Sequence, residues 1–179
     1  MTSQELTAFY LKWSKTLYNS ALRILKEPME AEDTMQETII KFITATEANS
    51  KHDVRPMSDA QANVWLRKTC IRSAIDRLRF RKRRKLFAER YAREEEEPKE
   101  CDFSGLSSFE PSRDIGIIKE KVSELPDKYR VVLSLFLFEG YDYEEIASIT
   151  GQKNVTVRSQ YMRGKKMLAG MLVGKFGKR

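Results

Sequence analysis

Apolar residues recur at three- and four-residue steps through almost the whole chain, and that spacing leaves one fold class open. Leu6, Phe9, Tyr10, Trp13, Leu17, Ala21 and Ile24 form one such run. On a 3.6-residue period they lie along one side of a helix. Pro28 interrupts the pattern. In the next segment, Met29 to Glu47, residues Ala31, Met35, Ile39, Phe42 and Ile43 face one way, while Glu30, Asp33, Glu37 and Lys41 face the other. A polar loop, roughly Ala48 to Ser58, precedes a long third helix from Ala60 to Arg90. No stretch alternates with period two for long enough to suggest a sheet, so the expected fold is all-α.

Charge divides the chain. The 179 residues carry a formal net charge of +7, enough for one domain or two small ones and favouring a polyanionic partner. Lys and Arg outnumber Asp and Glu by 18 to 11 in residues 1–90 and by 12 to 7 in residues 116–179, but are outnumbered 3 to 8 in residues 91–115. That middle piece also concentrates Pro, Ser and Gly. It reads as an acidic flexible linker between two basic helical domains. No run of eighteen apolar residues exists to span a bilayer, and the N-terminus lacks the layout of a secretory signal. Cys70 and Cys101 are too far apart in sequence to resemble a disulfide framework or metal knuckle, and His52 is the single histidine. The expectation is a cytoplasmic protein with no metal, no cofactor and no membrane insertion.

The second domain has the clearest local signals. A short amphipathic helix, Ile115 to Leu125, stops at Pro126. Asp127 is placed to cap the strongly apolar helix that follows, and Gly140 to end it. Asp142 caps the segment Tyr143 to Thr150, with Glu145 completing an acidic capping box, and Gly151 closes it. A three-residue turn then leads into the helix that opens Val155-Thr156-Val157-Arg158-Ser159. Helix, tight turn containing Gly, and helix make a helix-turn-helix. Val157, Tyr161, Gly164 and Leu168 face its interior. Thr156, Arg158, Ser159, Met162, Arg163, Lys165 and Lys166 lie outside, where hydroxyls and arginines suit major-groove base edges and phosphates. A solvated helix face is the plain alternative.

The segment from Leu125 to Leu168 resembles region 4 of the bacterial sigma-70 factors, in particular the compact extracytoplasmic-function (ECF) group. The shared features are Leu-Pro-x-x-x-Arg, Glu-Gly before the first helix, Glu-Ile-Ala within it, and Thr-Val-Arg-Ser opening the second. Glu30 to Thr38 is similar to the acidic helix of region 2. Trp65 to Lys85 is similar to its Trp-Leu…Ile-Asp-x-Leu-Arg helix with a basic tail. The resemblance covers nearly the whole chain except the linker, in the family's order and spacing. It implies a dissociable, non-catalytic subunit of RNA polymerase that selects promoters. Region 2 (residues 1–90) would read and help melt the −10 element, and region 4 (residues 116–179) would read the −35 element. The linker (residues 91–115) would thread through the polymerase.

Carried over by residue, the resemblance makes Glu30, Asp33, Gln36 and Glu37 an acidic face that docks on the clamp helices of the polymerase's largest subunit. A basic protein partner also suits acid on a basic domain. Trp65, Arg72, Arg77, Arg79, Arg81 and Lys82 would meet −10 DNA. The basic run Arg77 to Lys85 supplies salt-dependent phosphate contacts, and Trp65 either stacks on a base or fills the core. The loop from Ala48 to Ser58 falls where the family captures an unstacked base. Such factors are commonly held by an anti-sigma factor, a further expected partner.

The chain departs from the family pattern in places. Arg72 replaces a usual Asn. Gln152 occupies a usually apolar position, and Lys153 a usual Ser or Thr cap, which leaves Asn154 to take over capping. Gln160 replaces a frequent basic residue, and Gly164 costs about 1 kcal/mol in helix propensity unless close packing requires it. The runner-up reading is a stand-alone LuxR-like helix-turn-helix regulator, which leaves the first domain unexplained and would bind its operator without polymerase. A scaffold would bind no DNA at all.

Overall fold

The computed structural model describes residues 2–50, 58–91 and 113–176, and these form seven helices without a strand among them. The chain divides into two compact units, Met1–Arg93 and Glu94–Arg179. The all-α expectation is met.

The first unit packs α1 (Ser3–Leu25), α2 (Pro28–Ser50) and α3 (Asp59–Tyr91) against one another. Thr2 caps α1 and exchanges hydrogen bonds with Glu5 in a capping box. The Thr2 backbone N–H, donating to Glu5, holds that carboxyl below the usual carboxylate range. Lys26 ends α1 in the left-handed region at φ 63°, a conformation that costs a residue with a Cβ about 1 kcal/mol. Its N–H bonds the Leu22 carbonyl, and Pro28 then opens α2 at a position where a missing N–H costs nothing. Ser58 and Gln61 make the equivalent reciprocal bonds at the start of α3.

Leu17, Ala21, Ile24, Leu25, Ala31, Leu66, Ile71 and Ala74 form the centre of this bundle, and Cys70 lies among them with its thiol donating to the Leu17 carbonyl. Leu6 and Tyr10 do not join it. Cover for α1 begins at Phe9, which stacks on Phe42 at 5.0 Å between ring centroids. Thr34 and Thr38 are buried, and each hydroxyl donates to the carbonyl four residues back at 2.7 Å. That satisfies the polar group without a cross-helix partner. Nothing in α3 past Leu78 is buried among the described side chains. The basic end of the helix outruns the bundle.

The second unit comprises α4 (Arg113–Glu124), α5 (Asp127–Leu137), α6 (Tyr143–Thr150) and α7 (Asn154–Phe176). Val122, Leu125, Leu133 and Leu168 form its core, with Tyr129, Phe138, Tyr161, Met171 and Leu172 packed around them. The expected linker, residues 91–115, lies largely outside the described residues, with Tyr91 closing α3 and Arg113–Ile115 opening α4.

Asp127 does not cap α5. Pro126 holds the cap position, its carbonyl accepts from Tyr129 and Arg130, and Asp127 is the first helical residue. Its carboxylate pairs instead with Arg130, which is 2% exposed and donates to the Leu125 carbonyl. Arg130 thereby ties the end of α4 to the start of α5. Gly140 is left-handed at φ 76° but stands beyond the helix, where the Tyr141 N–H returns to the Leu135 carbonyl. Around α6 the local reading holds in full. Asp142 accepts from the Glu144 and Glu145 N–H groups, Glu145 accepts from the Asp142 N–H, and Gly151 closes the helix at φ 64°. Asn154 is the first residue of α7 and not its cap, because the Lys153 carbonyl accepts from the Thr156 and Val157 N–H groups.

Gly164 sits where α7 crosses α5. A Cβ there would meet Leu133 Cδ1 and Tyr129 Cβ, both at 3.0 Å. Tyr129 Cβ is fixed to the α5 backbone and does not give way. Gly164→Ala is therefore expected to destabilise the unit by about 1 kcal/mol net, overpacking outweighing the gain in helix propensity. Gly170→Ala, with nothing within 4 Å of the added carbon, is expected to stabilise it by a similar amount, about 1 kcal/mol. Chemical denaturation of the two variants checks the opposite signs.

Candidate nucleic-acid interface

The Asp142 cap, the left-handed Gly151 and the buried Ile146, Ile149 and Val157 set the geometry of the α6–turn–α7 element. Val157 and Gly164 are fully inside, Leu168 is 7% exposed and Tyr161 is half-buried, so the inward side of α7 matches the sequence reading. Thr156, Arg158, Ser159, Met162, Arg163, Lys165 and Lys166 are all exposed. They form one continuous face, without an acidic residue on the helix from Asn154 to Phe176. Gln160 turns partly inward, and its Oε1 is buried.

Two features of this face are not readable from the linear sequence. The Arg158 guanidinium lies over the Tyr143 ring, 5.6 Å from its centroid, a cation–π contact from α7 to α6. Lys128 and Tyr129 of α5 line an open groove with Val155, Thr156, Ser159 and Arg163. Lys128 thus adds a cation beside the α7 face from a separate helix, at a sequence distance that no spacing rule reaches.

In the first unit, α2 and α3 bring together residues that the sequence assigned to different partners. Arg77 pairs with Glu37 and reaches Asp33 at 3.8 Å. Arg81 pairs with Glu30 at 3.0 Å and donates to the Leu25 carbonyl at 3.0 Å. The acidic face therefore does not stand apart from the basic helix: three of its four residues are bridged by two of the expected DNA contacts. Gln36 is exposed and donates to Glu32. Arg72, Arg79 and Lys82 are exposed on α3, with Arg79 3.5 Å from Asp76. Trp65 is half-buried and meets Phe42 edge-on at 5.5 Å, so it belongs to the Phe9–Phe42 aromatic cluster and still presents part of its surface. Of the expected base-capture loop, 51–57 lie outside the described residues, as do His52 and Cys101.

Two family models match the chain: sigma-70 region 2 over residues 9–84 and sigma-70 region 4 over residues 115–168. The chain belongs to the sigma-70 family. This sigma factor is 28% identical over 151 residues to RNA polymerase sigma factor SigV of Bacillus subtilis, covering 84% of this chain and 81% of that one. It is 27% identical to the RNA polymerase sigma-H factor of Pseudomonas aeruginosa, covering 88% and 81% of the two chains. It is also 27% identical to the ECF RNA polymerase sigma factor SigE of Mycolicibacterium smegmatis, with coverage of 87% and 57%. Its fold is shared with the sigma factor RpoE of Bartonella quintana, solved in complex with the anti-sigma factor NepR. That match has a TM-score of 0.55 at 20% identity and covers 94% of this chain and 97% of that one. The extracytoplasmic-function assignment made from the motifs holds. The sigma factor's role is to direct core RNA polymerase to promoters. No helix among its described residues is long and apolar enough to cross a membrane.

The pairs between α2 and α3 are partly exposed, with side-chain accessibilities of 30% for Arg77 and 48% for Glu37. A double-mutant cycle on Arg77 and Glu37 is expected to give a coupling of about 0.5 kcal/mol at low salt that vanishes at high salt. Measuring unfolding free energies at two ionic strengths checks it.

Proposed function

We propose that this sigma factor divides its task among three surfaces. The exposed face of α7, with Thr156, Arg158, Ser159, Met162, Arg163, Lys165 and Lys166, reads the −35 element. The exposed part of α3, with Trp65, Arg72, Arg79 and Lys82, meets the −10 region. The α2 face of Glu30, Asp33, Gln36 and Glu37 docks on the clamp helices of the polymerase's largest subunit. Arg77 and Arg81 serve both of the last two surfaces, because their guanidiniums hold the docking carboxylates in the free protein. Residues 1–90 and 116–179 carry these roles, and residues 91–115 join them.

The observation that carries the reading is the continuous cationic and hydroxyl-bearing face of α7 beside a capped helix-turn-helix. Hydroxyls and guanidiniums near a helix N-terminus reach base edges and phosphates together, with Arg placed for bidentate pairing to guanine. The protein works in the cytoplasm, without catalysing a reaction and without a cofactor, and an anti-sigma factor holds it until it is needed.

Run-off transcription with core polymerase tests the whole reading: discrete start sites should appear only when the sigma factor is added. Arg158→Ala combined with Ser159→Ala is expected to abolish promoter recognition while polymerase binding, read by co-purification, stays intact. Asp33→Ala is expected to weaken polymerase binding, and unchanged affinity would remove α2 from the docking site.

A further inference from the structure

Among the described residues, Arg158 is the one cation of the α7 face shown resting on an aromatic ring of a different helix. That ring is itself held in place. Tyr143 is the first residue of α6, directly after the Asp142 capping box, so its backbone is pinned at the helix start. Phe136 of α5 lies nearly parallel to the Tyr143 ring, 5.2 Å away with an interplanar angle of 20°. Tyr161 of α7 meets it edge-on at 5.4 Å and also packs on Phe136 at 4.6 Å. Three rings from three helices thus form one cluster, and the Arg158 guanidinium lies at its exposed end.

We propose that Tyr143 is a positioning residue for promoter reading, acting through Arg158 to set which base pair is recognised and how sharply. The proposal rests on the assignment of α7 as the recognition helix. An exposed arginine samples many rotamers, and bidentate pairing to a base needs its planar fork in one orientation. A ring beneath the guanidinium restricts that freedom before DNA arrives, so less ordering remains when the base is bound. Tyr143 does not touch the base. It acts on discrimination at one position and leaves the phosphate contacts of the face unchanged.

The test uses the full chain with core RNA polymerase. Binding to a promoter fragment is competed with fragments substituted at each position of the upstream element. Tyr143→Leu and Tyr143→Phe are compared, each alone and with Arg158→Ala. Tyr143→Leu is expected to reduce discrimination about two- to five-fold, as loss of an exposed cation–π contact would, and at the same base pair that Arg158→Ala affects. Tyr143→Phe should keep it, and Tyr143→Leu should add nothing in the Arg158→Ala background. A uniform loss across all positions, or an additive loss in that background, would overturn the proposal by making Tyr143 merely structural.

Should Tyr143→Leu fail to fold, replacing Tyr143 with ring-fluorinated phenylalanine keeps the shape and drains negative charge from the ring face. Weaker discrimination than Tyr143→Phe supports the proposal, and equal discrimination overturns it. If Arg158→Ala changes a base preference but the Tyr143 variants do not, only the positioning role falls. If Arg158→Ala changes no base preference, the recognition-helix assignment falls with it.

Discussion

The close crossing of α7 over α5 at Gly164 is the constraint on which the second unit depends. With only hydrogen at that position, α7 lies so near α5 that an added Cβ would come within 3.0 Å of Tyr129 and Leu133. This approach seats Val157 and Leu168 in the core and, by the rigidity of a helix, aims the opposite side of α7 at solvent as a single face. The same approach brings Lys128 of α5 alongside Thr156, Ser159 and Arg163. A residue with a side chain at 164 would lift or rotate the helix, and every outward group would turn with it. Glycine at this site is a packing requirement, and its low helix propensity is what the tight crossing costs.

In the first unit the organising feature is electrostatic and lies at the surface. Apolar packing among the three helices holds the bundle, with Leu66, Ile71 and Ala74 of α3 fully buried in it. The ion pairs above that core are too exposed to contribute more than a few tenths of a kcal/mol to about 1 kcal/mol each. Their consequence is for recognition. Two guanidiniums of the basic helix neutralise carboxylates of the acidic helix, so neither surface presents its full charge in the free protein. A partner that takes the carboxylates must displace Arg77 and Arg81 from them. On the proposed assignment, polymerase docking and DNA contact share side chains, and affinity for one partner is linked thermodynamically to the presence of the other.

Features that arise within one turn of helix were legible in the sequence. The Asp142–Glu145 capping box, the left-handed Gly151, the break at Pro28 and the inward set Val157, Tyr161, Gly164 and Leu168 each depend on neighbours a few residues away. Two local readings failed for a physical reason of the same scale. Asp127 has a better partner in Arg130, whose burial demands a counter-charge, so Pro126 is left as the cap. Asn154 is displaced from the cap because the chain enters the helix one residue earlier, through the Lys153 carbonyl. Leu6 and Tyr10 obey the helical period and are nonetheless exposed, since periodicity states which side of a helix is apolar and not how far along it a partner extends.

The sequence by itself determined that the chain is all-α, that its second half holds a helix-turn-helix with a cationic outer face, and that it resembles the ECF sigma factors. The first two follow from spacing, capping chemistry and residue type, which act over a few positions, and the third from motifs that match that family in order. Only the tertiary structure decided that Arg77 and Arg81 lie on Asp33, Glu37 and Glu30, that Lys128 lies beside the outer face of α7, and that Arg158 rests on Tyr143. Those partners are separated by 15 to more than 50 positions in the chain. Their meeting is fixed by how helices cross and how closely they approach, a property of packed surfaces that no local pattern of residues encodes.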